Sequence, residues 1–397
     1  MPVEGLKYAV PYLLFITYFI LLTVTELIIE KRGDNLVVNR QIIRWLSVLA
    51  LLVFFGFRGF IGWDWYLYYP SFNDIPSLLS FEKGLFTATK FEHGFVVYLA
   101  AIKSIFNNFH FFIFINTLID IIILNEIIKR YSRFSYSFSC LVFIVMGGFF
   151  LETDLLRSAK SIMLFLLSIR YIGERKLVPY YLLNIAACYF HISAVLFLPL
   201  YFVLGKKIPR KLVIAIFSLG IIIFLLQIEY IRPFLYSITA ILGERFQALL
   251  EKYLQISIYS TAYGFTIGLL ERIVTATLLV IYYDKLIQEK SSNLFFINSY
   301  IIYFIVFFYF SEIKIIPVRV GGLFAFAYWV IYPAFVKVIQ NKNNKNVLIF
   351  SFFLYSIIKI AGMTDTILYR YVNVLTGTDD FISRVKIFES SLDTLLR

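Results

Sequence analysis

Long, nearly uncharged apolar runs recur along the whole chain, and they constrain its fold more than any other feature. Many of these runs approach the roughly 20 residues that a helix needs to cross the hydrocarbon core of a bilayer. Within lipid, backbone polar groups must be satisfied inside a helix or a closed barrel. Because the apolar residues are continuous rather than alternating, we predict an all-α fold, a polytopic transmembrane helical bundle.

The balance of apolar and charged residues excludes an ordinary soluble domain. Hydrophobic residues make up 60% of the chain and charged residues only 16%, whereas soluble chains carry about 25% charged residues. The formal net charge is +12. We attribute this charge to Lys and Arg on cytoplasmic loops, so the predicted partner is the lipid bilayer and no nucleic acid.

The apolar runs predict about twelve spans in a single integral membrane domain that covers residues 1–397. We interpret 177–190 and 191–204 as a hairpin, because His191 lies at their junction. The stretch 94–106 is shorter than a span and is predicted to be re-entrant or interfacial. The predicted spans are 8–29, 42–60, 109–128, 136–151, 157–173, 177–190, 191–204, 211–228, 265–284, 294–310, 321–339 and 346–362.

The distribution of basic residues predicts the orientation of these spans. Basic residues outnumber acidic ones in alternate loops, which are therefore predicted to be cytoplasmic. Both termini then lie outside. The remaining outward segments are 58–93, 152–157, the turn at His191, 229–264, 311–320 and the tail after 363. Segment 229–264 is predicted to contain an amphipathic interfacial helix, because apolar residues recur there at helical spacing, at Phe246, Leu249, Leu250, Tyr253 and Leu254.

The first candidate site is the outward segment RGFIGWDWYLYYPSF, residues 58–72. Aromatic rings that stack on sugars, next to a guanidinium and a carboxylate, suit a glycan. The alternative is an aromatic belt at the membrane interface with a salt bridge in the loop. The candidate residues are Arg58, Trp63, Asp64, Tyr68 and Tyr69.

Two arginines open predicted spans on the outer side. Arg157 and Arg319 are costly at this level of the membrane unless each faces a polar cavity or an anion. A guanidinium fork matches a pyrophosphate well. Glu152 and Asp154 are nearby carboxylates that could serve the site or pair with the arginine. The alternative for both arginines is snorkelling to the interface.

A histidine between two apolar runs is the next candidate. His191, with Ser193 beside it, could move a proton or donate a hydrogen bond, or it could be structural. The charges at Asp120, Glu271 and Arg272 fall inside predicted spans, and they leave a transporter with an ion path as a rival interpretation. No ligand spacing for a metal is present, so neither a metal nor a cofactor is predicted.

The order of these motifs resembles the EpsG/Wzy family of polysaccharide polymerases over residues 45–335. The matching features are Arg58 followed by Gly62, Asp64 and Tyr68 or Tyr69; FEHGF at 91–95, similar to a Glu-Pro-Gly segment of the family; LLRSAKSIML at 155–164; FHISAVLFLPLYF at 190–202; and Arg319 ahead of Tyr332 and Pro333. The chain departs from the family pattern at His93, where proline is usual, and at Lys160, where a small apolar residue is usual.

The resemblance implies a function that the composition does not. Such proteins polymerise repeat units carried on undecaprenyl pyrophosphate, outside the bacterial cytoplasmic (inner) membrane, without a metal. Their architecture is similar to that of class C membrane glycosyltransferases. The product is O-antigen of lipopolysaccharide, capsule or exopolysaccharide. The implied partners are the lipid-linked glycan donor and acceptor, with a chain-length regulator and a flippase as further partners.

We assign site roles on this basis. Arg157 and Arg319 are expected to hold the pyrophosphate, and His191 is the first choice for general base, with Asp64 or Glu152 as alternatives. The residues expected to bind substrate are Arg58, Trp63, Tyr68, Tyr69, Glu92 and Glu152. The rival functions are an O-antigen ligase, a flippase or transporter of lipid-linked oligosaccharides, and a membrane acyltransferase.

Overall fold

The computed structural model describes residues 6–32, 36–78, 86, 89–243, 247–248, 251, 254 and 261–396. This part of the chain is helical, with isolated bridges at Arg58–Asn373 and Asn373–Gly377 in place of strands, so the predicted all-α fold is confirmed. The α-helices are α1 Val10–Arg32, α2 Leu36–Leu51, α3 Trp65–Asp74, α4 His93–Ile105, α5 Phe109–Tyr131, α6 Tyr136–Phe143, α7 Phe149–Thr153, α8 Leu156–Gly173, α9 Leu177–Phe190, α10 Arg210–Leu225, α11 Ile231–Leu242, α12 Ile267–Glu289, α13 Asn293–Tyr309, α14 Ala327–Val338, α15 Lys342–Thr364 and α16 Phe381–Leu396.

Shorter helical turns connect several of these helices. Residues Leu52–Gly56, Ile144–Gly148 and Pro317–Gly321 form π-helical turns, and Ile192–Phe202 and Ile367–Tyr369 form 3₁₀ helices. Four residues of the predicted interfacial helix, Phe246, Leu249, Leu250 and Tyr253, lie outside the described residues. That helix therefore stays a prediction.

Five helical segments in the described part of the chain are long and apolar enough to cross a membrane. They are Val10–Arg32, Val38–Gly56, Phe109–Tyr131, Tyr136–Thr153 and Lys342–Thr364. Many of the other predicted spans coincide with shorter apolar helices. With these helices the chain is a polytopic helical membrane protein, while the number of about twelve spans stays a prediction.

The predicted hairpin at His191 is present, but its second arm is not an α-helix. The Tyr180 hydroxyl on α9 donates to the Phe197 carbonyl at 2.5 Å, which holds the two arms side by side. The second arm, Ile192–Phe202, is a 3₁₀ helix of 11 residues with Pro199 inside it. At about 2 Å per residue it is too short for a bilayer of about 30 Å.

Helix starts follow the capping chemistry of the sequence. Asn108 caps α5 by accepting the Phe111 N–H at 3.0 Å, as expected for an Asn that precedes an apolar run. The start of α6 is held more firmly by a buried carboxylate on α1. Glu26 accepts the Tyr136 N–H at 2.9 Å and the Ser135 hydroxyl at 2.6 Å. A negative charge is stabilising there, because the N-terminus of a helix carries partial positive charge.

The chain divides into two compact units. Unit 1 comprises residues 1–201 and 339–397, and unit 2 comprises residues 202–338. In unit 1, α8 packs along α9, and α1 packs against α6 and α15. In unit 2, α13 packs against α10 and α14. The single integral membrane domain stays a prediction.

The C-terminal tail folds back over the loop that follows α2. The Gly59 N–H donates to the Val372 carbonyl at 2.9 Å, and the Gly62 N–H donates to the Leu368 carbonyl at 3.1 Å. The Tyr12 hydroxyl near the start of α1 donates to the Tyr369 carbonyl at 2.6 Å. The start of α1 and the tail therefore share one end of unit 1, while the orientation of the spans stays a prediction.

A buried ion pair joins α5 to α8. Lys160 Nζ lies 2.6 Å from Asp120 Oδ2, and it also donates to the Asn116 carbonyl at 2.7 Å. Both charged side chains are buried. An ion taken out of water needs a close partner to offset its lost hydration. This pair explains how the chain tolerates a lysine at position 160 and a carboxylate within α5.

Replacing one member of this pair leaves the other charge uncompensated. We expect Lys160→Met to lower the free energy of unfolding by about 3–5 kcal/mol, and Lys160→Met with Asp120→Leu to recover most of that loss. Thermal unfolding of the purified variants in detergent measures both effects. A double variant that is as unstable as the sum of the two single variants would contradict a compensated pair.

Candidate functional site

The loop between α2 and α3 is built around the carboxylate of Asp154. The Trp63 N–H donates to Asp154 Oδ1 at 2.5 Å, and the Tyr369 hydroxyl donates to Oδ2 at 2.9 Å. Gly62 has φ +81°, and a Cβ there would collide with Asp154 Oδ1. Glycine is therefore required at this position. Burial raises the pKa of the Asp154 carboxyl, although its hydrogen-bond donors act in the opposite direction.

Two residues predicted to bind substrate instead lie in the interior of unit 1. Arg58 is only 3% exposed, and its Nη1 donates to the Phe55 carbonyl at 3.3 Å. Glu152 is 0% exposed and accepts the Thr117 hydroxyl at 3.1 Å. These positions correct the expectation for both residues, because neither side chain has surface for a glycan. The loop folds over Arg58, and Glu152 lies on the inward face of α7.

Arg157 lies in the first turn of α8 and meets side chains from two other segments. Its Nη1 donates to Glu92 Oε2 at 2.6 Å, and its Nε donates to the Tyr68 hydroxyl at 2.9 Å. The guanidinium lies 4.6 Å from the centroid of the Phe91 ring. The structure thus brings together Arg157, Glu92 and Tyr68, all of which were predicted to be site residues.

Glu92 also connects this arginine to the turn at His191. Its Oε1 accepts the Ile192 N–H at 3.1 Å and lies 4.0 Å from His191 Nδ1. The same Nδ1 accepts the Ser193 N–H at 3.1 Å. A nitrogen that accepts an N–H carries no proton, which assigns the proton of the neutral imidazole to Nε2.

The carboxyl of Glu92 is held in its charged form. Burial raises its pKa, but donation from backbone N–H groups, including that of Ile192, and from Arg157 outweighs burial, so the pKa lies below its ordinary value. The Arg157 and Glu92 side chains keep 23% and 20% of their surface exposed. This ion pair is therefore open to a ligand, unlike the pair that Lys160 forms inside the unit.

A cavity of about 380 Å³ lies beside α3, within the range of pockets that hold small ligands. Its walls combine aromatic rings with amide and carboxylate groups. Tyr69 stacks on Phe381 with ring centroids 4.3 Å apart. Tyr68 and Tyr69 are adjacent on α3, so this cavity and Arg157 lie on different faces of one helix. The lining is Phe60, Tyr69, Phe72, Asn73, Asn107, Asn108, Phe109, His110, Thr378, Asp379, Asp380 and Phe381.

Sequence reasoning missed the part of this cavity that comes from the tail. Thr378 to Phe381 reach it because the tail folds back over the loop after α2. The available signal was an acidic pair followed by a phenylalanine, on a tail already predicted to face outward.

The remaining predicted site residues occupy separate positions. Trp63 is partly exposed, and its ring lies 5.4 Å from that of Phe388. Asp64 precedes α3 and is half-buried. Arg319 belongs to unit 2, where it lies in the turn Pro317–Gly321 with an exposed side chain. The convergence of Arg319 with Arg157 stays a prediction.

No cluster of three or more His, Cys, Asp or Glu side chains that could hold a metal ion occurs among the residues that the structure describes.

The site in unit 1 offers a guanidinium with polar partners and, on the other side of α3, a cavity lined by aromatic rings. Such a combination can bind an anion and a sugar side by side.

Comparison with known proteins gives one family. A family model described as the EpsG family matches residues 41–373, which is most of the chain. Comparisons with curated proteins and with solved structures give no match. The matched region includes every site residue named above except Thr378, Asp379, Asp380, Phe381 and Phe388.

The lowered pKa of Glu92 predicts how the stability of the site depends on pH. A carboxyl with a folded pKa below its ordinary value of 4.5 stabilises the fold above that value and loses this contribution as pH falls through the folded pKa. We expect Glu92→Gln to melt at a lower temperature than the wild type at pH 7, and the difference to shrink below pH 4.5.

Thermal unfolding measured at a series of pH values tests this prediction. Glu126→Gln is a matched control, because Glu126 forms an exposed pair with Lys129 and exposed pairs contribute little. A difference between the wild type and Glu92→Gln that stays constant down to pH 3 would contradict the assignment.

Proposed function

Since this chain belongs to the EpsG family, whose members are polysaccharide polymerases, we propose that it polymerises oligosaccharide repeat units carried on undecaprenyl pyrophosphate. The reaction takes place on the outer side of the bacterial cytoplasmic membrane and needs no metal. The observation that carries the proposal is the accessible Arg157–Glu92 pair beside His191. A cavity suited to sugars lies on the other side of α3.

The reaction exchanges one bond at the anomeric carbon of the donor. An acceptor hydroxyl oxygen forms a bond to this carbon while the carbon–oxygen bond to pyrophosphate breaks. The electron pair leaves with lipid pyrophosphate, and the proton of the acceptor hydroxyl passes to a base. Direct displacement inverts the configuration of this carbon. Holding both lipid-linked substrates at one depth in the membrane supplies proximity.

Arg157 is the group that we assign to the departing pyrophosphate. Its Nε and Nη1 are bonded to Tyr68 and Glu92, which fixes the guanidinium plane. Its Nη2 makes no hydrogen bond to another described residue and is available to a phosphate oxygen. A donor held in place where charge develops stabilises the transition state most effectively. Arg319, exposed on unit 2, is proposed as a second arginine that binds phosphate.

His191 and Asp64 are proposed to have different roles at the acceptor hydroxyl. Nδ1 of His191 is engaged by Ser193, so we propose that His191 donates a hydrogen bond through Nε2 and orients the substrates. Asp64 lies one helical turn before Tyr68 and is half-buried. We propose Asp64 as the proton acceptor, in place of the buried Glu152.

The cavity lined by Tyr69 is proposed to hold sugars of the growing chain. Amide and carboxylate side chains, such as those of Asn73 and Asp380, can bond sugar hydroxyls, while aromatic rings cover the apolar faces of sugars. Trp63 extends the aromatic surface toward solvent. A flippase would supply the lipid-linked units, and a chain-length regulator would act with the polymerase.

Loss of Arg157 should slow polymerisation, because the departing pyrophosphate loses a stabilising donor while the acceptor substrate is still present. We expect Arg157→Ala to lower the rate by about 10²–10³-fold, the loss seen when one transition-state donor is removed. We expect a similar loss for Asp64→Asn, since general-base catalysis contributes about 10²–10⁴-fold. The purified protein in vesicles, supplied with a lipid-linked repeat unit, gives the rate by gel separation of products.

The control for these variants is Arg130→Ala. Arg130 is exposed at the C-terminal end of α5, whereas the cavity is lined by the N-terminal end of this helix, so the rate should not change. Normal polymer from Arg157→Ala would remove this residue from the mechanism. Transfer of the glycan only to an acceptor other than a second lipid-linked repeat unit would indicate an O-antigen ligase instead.

The sugar cavity predicts an effect on chain length that is separate from the chemistry. Asn73 is exposed in this cavity, so Asn73→Ala should shorten the product while the first condensation of two repeat units keeps its rate. The ratio of long to short products, measured with the initial rate, tests this. An unchanged length distribution would show that the chain does not rest in this cavity.

A further inference from the structure

Unit 2 contains a second arginine whose side chain is held by aromatic groups. Arg272 lies on α12, and its Nε donates to the Tyr303 hydroxyl at 2.7 Å. Its guanidinium lies 3.8 Å from the centroid of the Phe307 ring. Stacking on one ring and bonding to another residue fix the plane of the guanidinium. The site described in unit 1 makes no use of this group.

One further nitrogen of Arg272 is not satisfied by the residues that the structure describes. Its Nη1 is buried and has no hydrogen-bond partner in the described part of the chain. Glu271 is adjacent, but consecutive helical side chains do not face each other, and its Oε1 accepts the Thr275 hydroxyl at 3.1 Å instead. Arg272 forms no ion pair with any described carboxylate. Glu271 interacts with Arg272 electrostatically, but this interaction gives the buried Nη1 no hydrogen-bond acceptor.

The position of the guanidinium also favours an anion. A Cβ at Gly268 would lie 2.6 Å from Arg272 Nη1, so the guanidinium folds back over the first turn of α12. The first N–H groups of a helix lack intrahelical partners and carry partial positive charge. A cation at the N-terminus of a helix is unfavourable on its own. An anion between the guanidinium and the N-terminus of α12 would be stabilised by both groups.

Two further features place Arg272, which is half-buried, next to exposed segments of unit 2. Residues 264–267, which lead into α12, are exposed. On the other side, a Cβ at Gly321 would lie 3.8 Å from the Tyr303 ring, so the turn that carries Arg319 packs on the same tyrosine that bonds Arg272. Tyr303 thus lies between Arg272 and the turn of an exposed arginine.

We propose that Arg272 and Tyr303 form an anion-binding site in unit 2 that takes a phosphate of the lipid-linked substrate, next to Arg319. This inference rests on the proposed function for the identity of the ligand. The buried Nη1 would donate a charge-assisted hydrogen bond to a phosphate oxygen, with the orientation set by Tyr303 and Phe307. The site would give the diphosphate a contact on unit 2 in addition to Arg319.

Binding of prenyl ligands to the purified full-length protein tests the site. The probes are farnesyl diphosphate, farnesyl monophosphate and farnesol, titrated calorimetrically in detergent. We expect Arg272→Gln to weaken farnesyl diphosphate binding about tenfold or more, the loss of one charge-assisted hydrogen bond. Farnesol binding should not change, and Tyr303→Phe should cause a smaller loss by releasing the guanidinium.

Arg170→Gln is the matched control, because Arg170 also stacks on an aromatic ring, that of Tyr171, with a distance of 4.4 Å to the centroid. It should bind all three probes as the wild type does. If Arg272→Gln does not fold, Arg272→Lys replaces it. This variant keeps the positive charge but loses the planar guanidinium group, so it should bind farnesyl diphosphate more weakly than the wild type.

Two outcomes would overturn the site. One is equal farnesyl diphosphate affinity of the wild type and Arg272→Gln with only a lower melting temperature, which is the behaviour of a structural arginine. The other is the absence of any diphosphate binding by a wild type that makes polymer. Failure of the proposed function has a different signature, in which the wild type binds diphosphate through Arg272 but forms no polymer.

Discussion

Taking an ion out of water costs several kcal/mol unless another charge or a ligand compensates it, and this cost decides where charged side chains lie in this protein. Lys160 meets the cost by pairing with Asp120 in the interior of unit 1. Glu26 meets it by accepting hydrogen bonds at the start of α6. Asp154 meets it with donors from the loop and the tail. In each of these arrangements, groups of the protein itself compensate the charge.

Arg157 and Arg272 differ from these three groups, because each keeps a nitrogen that a ligand could bind. This difference indicates function. Arg157 is paired with Glu92 but retains an exposed fraction and an uncommitted nitrogen. Arg272 is fixed by Tyr303 and Phe307 and retains a buried nitrogen that has no hydrogen-bond partner among the described residues. Under the proposed function, a phosphate group of the substrate would supply the missing compensation at such an arginine. Membership in the EpsG family shows a polysaccharide polymerase, and a diphosphate leaving group is part of the function that we propose for it.

Most of the helical framework could be predicted, because the solvent imposes it: continuous apolar runs in lipid must be helices. The grouping of Arg157, Glu92, Tyr68 and His191 followed from placing their segments on one face. The inward direction of Arg58 could not be predicted, since it depends on a turn at Gly62 that packs against Asp154. The 3₁₀ helix after His191 was also missed, because hydropathy does not distinguish helix types.

The central claim is that this chain alone joins lipid-linked repeat units with pyrophosphate as the leaving group. Purified protein in vesicles, supplied with one undecaprenyl-pyrophosphate-linked repeat unit and a metal chelator, tests it most directly. We expect a ladder of polymer, with one undecaprenyl pyrophosphate released for each bond formed. Unchanged single repeats, or polymer that forms only when a divalent metal is restored, would contradict it.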